Sequence, residues 1–235
     1  MDTFTNFEET EQSKIFPNEA FGYSKVVVER PLRLKVELTD DSRSRFRAAG
    51  VAVGEEQLAD LIDLIAEDLG SSVQNNFNVF KKKVEDRAKA SGVKLTAKRI
   101  KLIQTDLAIK DEAAEPVIAK IHRSGQVQED ALHGRFGVLI DGKEVVVEYV
   151  AASELRDSEQ VPLLEEGGIE AFFRREVLPH VPDAWIQESS TKIGYEISFT
   201  RYFYKPQPLR TLQEIRADIE ALERETEGLL SEILG

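Results

Sequence analysis

The chain has no cysteine. Disulfides, zinc ribbons, iron–sulfur clusters and thiol nucleophiles are therefore excluded. It has eight prolines and no two are adjacent, so any catalytic motif built on Pro-Pro is missing. No two of its fourteen glycines stand as G-x-G. That removes the glycine loop that lets backbone approach a nucleotide or its pyrophosphate. Neither G-x-x-x-x-G-K-[ST] nor G-x-S-x-G occurs. No apolar run nears the roughly 20 residues that span a bilayer. Basic residues are in deficit: 31 Lys and Arg against 43 Asp and Glu leave a net charge of −12. That balance argues against a protein that coats nucleic acid by charge alone. The three histidines, His122, His133 and His180, lack metal-ligand spacing.

What is present describes an ordinary folded protein. Of 235 residues, 41% are hydrophobic and 31% charged. This suits one large domain or two small ones, with enough chain to bury a core. The N-terminus, MDTFTNFEETEQ, is acidic and polar, unlike a signal peptide, so a cytoplasmic location is expected.

Period-two patterning appears first at residues 32–38, where Leu32, Leu34, Val36 and Leu38 alternate with charged residues. This predicts a half-buried strand, with Pro31 at its start or on an edge. Phe21, Gly22 and Tyr23 set a tight entry to the preceding β-branched run, with Gly22 expected at positive φ. Helical spacing follows in 55–69, ended by Gly70, and in 73–90, ended by Gly92. Thr96 is placed to cap a third helix through Leu107. Asp111-Glu112 predicts another helix start, with Pro116 in its first turn. Asp141-Gly142 between two β-rich runs predicts a hairpin. Residues 155–160 (LRDSEQ) read as a loop with an Arg156–Asp157 ion pair, and 169–178 as a helix ended by Pro179. Trp185 is expected to anchor its loop in a core. Ile193, Tyr195, Ile197, Phe199 and Phe203 share one parity and predict a strand over 193–204.

Two features suit macromolecular contact. Leu212, Ile215, Ile219, Leu222, Thr226, Leu229 and Ile233 step by three and four, a heptad seam with one polar member. Such a short helix needs a surface to pack on, either its own domain or a partner's. Residues 81–101 hold nine basic and two acidic residues, leaving −19 for the rest of the chain. Lys81, Lys82, Lys83, Arg87, Lys98, Arg99 and Lys101 are candidates for DNA-backbone contact, against the alternative of a solvated helix face. Arg43, Arg45 and Arg47 form a smaller basic run. Carboxylate-rich stretches such as Glu165-Glu166 are usually solvated in an acidic protein, and the sequence shows neither a nucleophile–base pair nor a metal-ligand set.

The segments also resemble a known family. EQSKIFPNEAFGYSKVVVERPLRLKVEL at 11–38 is similar to the stretch after the catalytic domain in modification (M) subunits of type I restriction–modification systems. ELRDSEQVPL at 154–163 and AFFRREVLPHVPDAWIQESSTKIGYEISFTRYFYKPQPLRTLQEI at 171–215 resemble the end of the same subunit. VFKKKVEDRAKASGVKLTAKRIKLI fits the variable part between them. The resemblance implies an adenine-specific DNA methyltransferase that uses S-adenosylmethionine and acts on a flipped base. The family's cofactor and Asn/Asp-Pro-Pro-aromatic motifs lie upstream of the F-G-Y region and have no counterpart here. No catalytic, cofactor or metal residue is therefore carried over, and the chain is expected to bind no cofactor and to be inactive alone.

The resemblance implies a non-catalytic C-terminal portion that docks on the specificity (S) subunit. Its partners would be that subunit, a separate catalytic half, a restriction subunit, and DNA within the complex, with no membrane contact. Leu212, Ile215, Ile219, Leu222, Leu229 and Ile233 are the expected docking residues. The alternatives are a stand-alone DNA-binding or regulatory protein, or an inactive remnant of a split gene. The expected fold is α+β: a small mixed sheet, a helical insertion and a C-terminal heptad helix. Four segments are expected: 1–40 with the first strands, 41–124 helical, 125–205 with hairpin, helix and strand, and 206–235 coiled-coil-like.

Overall fold

The computed structural model describes residues 5–70, 72–123, 125–205 and 210–234. It divides into two compact units, Pro17–Glu196 and a smaller one joining Met1–Phe16 to Ile197–Gly235. The fold is α+β, 44% helical and 25% strand.

The larger unit opens with β1 (Gly22–Glu29) and β2 (Leu34–Glu37). Pro31 lacks an N–H and separates them, so the chain leaves one sheet and enters another. The β2 alternation is as expected: Leu34, Val36 and Leu38 are buried, and Lys35 reaches Glu37 and Asp111 at 3.0 and 3.1 Å. Next come α1 (Asp40–Ala52) and α2 (Glu56–Leu69). Thr39 caps α1 by accepting the Ser42 N–H. In α2, Leu58, Leu61, Ile62 and Ile65 form the buried stripe that its spacing predicts. β3 (Val73–Gln74) precedes α3 (Phe77–Ala90), which Asn76 caps. Thr96 caps α4 (Ala97–Leu102), as expected, and a wider turn carries it to Leu107. Strands β4 (Ala108–Lys110) and β5 (Ile118–His122) follow, then the hairpin β6 (Phe136–Ile140) and β7 (Lys143–Tyr149). Asp141 and Gly142 both take positive φ in its turn, the geometry that matches strand twist. The unit ends with β8 (Asp157–Pro162), α5 (Gly168–Phe172), β9 (Trp185–Ile186) and β10 (Lys192–Tyr195).

The strands form three separate sheets, β10-β1-β8 with β9 on β1, β3-β2-β4, and β5-β7-β6. Every strand pairing described is antiparallel, which corrects the single mixed sheet expected. The first core joins β2 to α1, α2 and α3 through Val36, Phe46, Leu61, Phe77 and Phe80. The second sits on the β1 sheet, with Val26, Val28, Val161, Phe173 and Ile186.

Several local expectations are corrected. The helix expected at Asp111 is a turn: Asp111 Oδ1 accepts the Ala113 N–H, competing with helix initiation, and the chain then enters β5. The 41–124 region is thus not wholly helical, and 73–74 belong to a strand. Residues 157–162 are not loop but β8, paired along most of β1. Only Val161 of β8 is apolar and buried, so alternation gave no signal. Gly22 has φ −88, not positive; a Cβ there would stand 2.3 Å from Leu163 Cδ1, the end of a flexible side chain that would have to shift. The 193–204 strand stops at Tyr195, and Ile193 and Tyr195 are exposed.

In the smaller unit, α6 (Phe199–Phe203) takes the place of the continued strand, and Ile197 and Phe199 are exposed. The Phe16 and Tyr202 rings lie 4.4 Å apart, and Lys205 reaches Glu11 at 3.2 Å. The unit ends in α7 (Leu212–Leu234). Among the described residues no helix is long and apolar enough to cross a membrane.

The Arg43–Arg45–Arg47 run is neutralised on the α1–α2 surface. Arg43 engages Asp40 and Asp63, Arg45 lies 3.0 Å from Asp41, and Arg47 engages Asp60 and Asp63. Burial raises the Asp63 pKa, but Arg47 and Arg43 outweigh it and hold the carboxyl below its ordinary value. A lowered folded pKa stabilises above the unfolded value, and the stabilisation fades as pH falls through the folded one. Urea midpoints measured from neutral pH to below about pH 4 are expected to fall, and Asp63→Asn to flatten that fall. An unchanged slope in the variant would exclude this contribution.

Candidate functional site

The motifs carrying the family resemblance meet inside the larger unit. Arg156, from ELRD, donates through Nε and Nη2 to Glu29 Oε1 at 2.8 and 2.6 Å. Glu29, from VERPLRL, is 2% exposed, so Arg156 compensates a buried charge. This replaces the expected Arg156–Asp157 pair. Arg30 and Arg33 converge on the two oxygens of Asp183, from VPDAW, at 3.3 and 3.2 Å. Trp185 is buried as expected, its ring edge-on to Phe136 at 5.8 Å, and Gly134 passes so close that a Cβ would meet the indole at 2.9 Å. These charged groups tie β1 to β8 and β9. Sequence reading missed Glu29 and Asp183, because their partners stand 127 and 150 residues away.

Among the described residues Glu165, His122 and His133 also sit in ion pairs. Glu165 is held by Arg175 at 2.8 Å. His122 lies 2.6 Å from Glu148, and His133 lies 2.9 Å from Asp130. Among the described residues no group of three potential ligands is placed to hold a metal. A cleft of about 670 Å³ between α3 and the β5-β7-β6 sheet has exposed Val79, Ile121 and Leu139, with Lys81, Lys82, Glu85 and Asp141 around them. No serine, cysteine or histidine lines it.

The heptad residues lie on one continuous helix. Thr211 and Glu214 close a reciprocal cap: Thr211 N–H donates to Glu214 Oε2 at 2.7 Å, and Glu214 N–H donates to Thr211 Oγ1 at 3.2 Å. The Thr211 N–H, and then its hydroxyl, hold the Glu214 pKa below the usual value. Leu212, Ile215, Ile219 and Leu222 are 85%, 40%, 52% and 61% exposed, so this part of the seam is uncovered among the described residues. Leu229 and Ile233 continue it by position, with side chains outside the described residues. The polar member, Thr226, donates its hydroxyl to the Leu222 carbonyl at 2.8 Å.

The basic segment separates into two sets. Lys81 faces Glu85, Lys82 faces Asp141, and Arg87 faces Asp68, all at 3.7–3.8 Å. Lys83 donates to Gln74 at 3.5 Å. Arg99 is half-buried against Glu55 at 2.6 Å and also donates to the Lys94 carbonyl, so it serves the fold. Lys98 and Lys101 are exposed and have no ion-pair partner among the described residues; Lys89 and Lys94 join them. Sequence counting cannot make this division, because Asp68, Asp141 and Glu55 come from other elements.

Comparison with protein-family models, curated proteins and solved structures returned no match.

Proposed function

We propose that this chain is the non-catalytic C-terminal portion of a type I restriction–modification M subunit, a cytoplasmic assembly module that docks on the specificity subunit through α7. The uncovered seam of α7 carries the reading. Four large apolar side chains in heptad register face solvent, and burying each against a partner helix contributes roughly 1.5–3 kcal/mol.

The charge on the flanks of the seam favours a different partner over a second copy. By heptad position Asp218, Glu225 and Glu232 lie along one flank, and the helix has seven acidic and two basic residues. An antiparallel self-pair sets that flank against itself, and a parallel one sets Asp218 towards Glu223. The collinear motifs at 11–38, 154–163 and 171–215 support the family assignment. Methylation would then require the catalytic half of the subunit, which binds S-adenosylmethionine and flips the adenine, and sequence readout would belong to the S subunit.

Co-expression with the specificity subunit of the same system, followed by size exclusion with light scattering, tests this reading. A stable complex with the mass of both chains is the expected result. A folded chain that elutes apart from the S subunit would overturn it.

A further inference from the structure

Lys89, Lys94, Lys98 and Lys101 fall within thirteen residues, and the stretch from Arg87 to Thr105 contains no acidic residue. All four are exposed, and none has a carboxylate within ion-pair distance among the described residues. The corner between α3 and α4 holds them on a fixed frame. Gly92, at φ +69, ends α3, and Val93 N–H donates back to the Ala88 carbonyl at 2.8 Å. Arg99 then ties the corner to Glu55 at 2.6 Å and to the Lys94 carbonyl at 2.7 Å. Lys98 and Lys101, three residues apart on α4, are neighbours on its surface.

We propose that this corner binds the phosphate backbone of double-stranded DNA, with Lys89, Lys94, Lys98 and Lys101 as the contacts. The inference stands on charge placement and does not depend on docking through α7. Unpaired lysines gain most from phosphate, because binding releases counterions and breaks no internal ion pair. In a chain of net charge −12, a polyanion is repelled elsewhere and oriented onto this corner. No aromatic residue occurs between Phe80 and Phe136, so the corner offers no stacking platform for single strands. No exposed large apolar side chain lies between Val79 and Ile109, so it has no anchor for a lipid surface. Backbone contact of this kind carries no sequence readout.

Fluorescence anisotropy of the full chain with a labelled duplex tests the proposal. Four neutralised phosphates give a log–log salt slope of about −3.6, or roughly a 100-fold loss of affinity between about 50 and 200 mM salt. The combined Lys89→Glu, Lys94→Glu, Lys98→Glu and Lys101→Glu variant is expected to lose binding by at least about 100-fold. Lys81→Glu with Lys82→Glu, which alters paired lysines, is expected to stay within about threefold. Circular dichroism checks that both variants fold, and the slope of the unaltered chain is a test that needs no variant. Absence of duplex binding at low salt, equal losses in both variants, or equal or tighter binding to single strands or anionic vesicles would overturn it. Leu222→Asp is expected to leave duplex binding intact, so failure of the docking reading and failure of this one are separable.

Discussion

Replacing Leu222 with aspartate is expected to abolish co-elution with the specificity subunit while leaving the helical content and melting temperature of the chain unchanged. Leu222 is 61% exposed, so the chain itself gains little from it. In a helix–helix contact the same position is a central knob. Aspartate there removes the burial and adds a charge that must be desolvated among apolar groups, a cost of several kcal/mol. The Thr226 bond to Leu222 uses the backbone carbonyl and survives the change. Ala221→Asp is the matched control: it adds the same charge to the same helix off the seam, and co-elution is expected to persist. Retained co-elution of Leu222→Asp, measured by size exclusion with light scattering, would remove α7 as the docking element.

Phe80→Ala is expected to destabilise the larger unit by about 3–5 kcal/mol in urea unfolding. Phe80 is fully buried in the first core, and its ring centroid lies 6.4 Å from that of Phe77. Truncation loses the transfer free energy of the ring and leaves a cavity that β2, α2 and α3 cannot collapse around. The next residue, Val79, is 48% exposed, and Val79→Ala is expected to change stability by less than about 1 kcal/mol. Similar losses for the two variants would contradict the packing of α3 on β2.

Helix α2 was legible because its period, its buried stripe and its Gly70 stop agree with one another. The Asp141-Gly142 turn was legible because two consecutive positive φ values leave few residue choices. Strand β8 was not, because DSEQVP owes its strand state to hydrogen bonding along β1 and has one buried apolar side chain. The 193–204 stretch misled for the opposite reason. It alternates well, but among the described residues β10 pairs with β1 alone, and its Ile193 and Tyr195 remain exposed.

The candidate surfaces divide in the same way. Heptad spacing placed the α7 seam, since a helix sets its own faces at a fixed angle per residue. Charge counting found the basic segment but could not rank its members. By itself the sequence determined the α+β class, the helix cap at Thr96, the buried stripe of α2, and the absence of Pro-Pro and glycine-loop motifs. These depend on chemistry within a few residues of chain. Only the tertiary structure decided that the strands divide into three sheets, that Glu29 and Asp183 hold distant arginines, and which lysines remain unpaired. Those outcomes depend on groups far apart in sequence, and the free energy of such contacts exists only once the chain has brought them together.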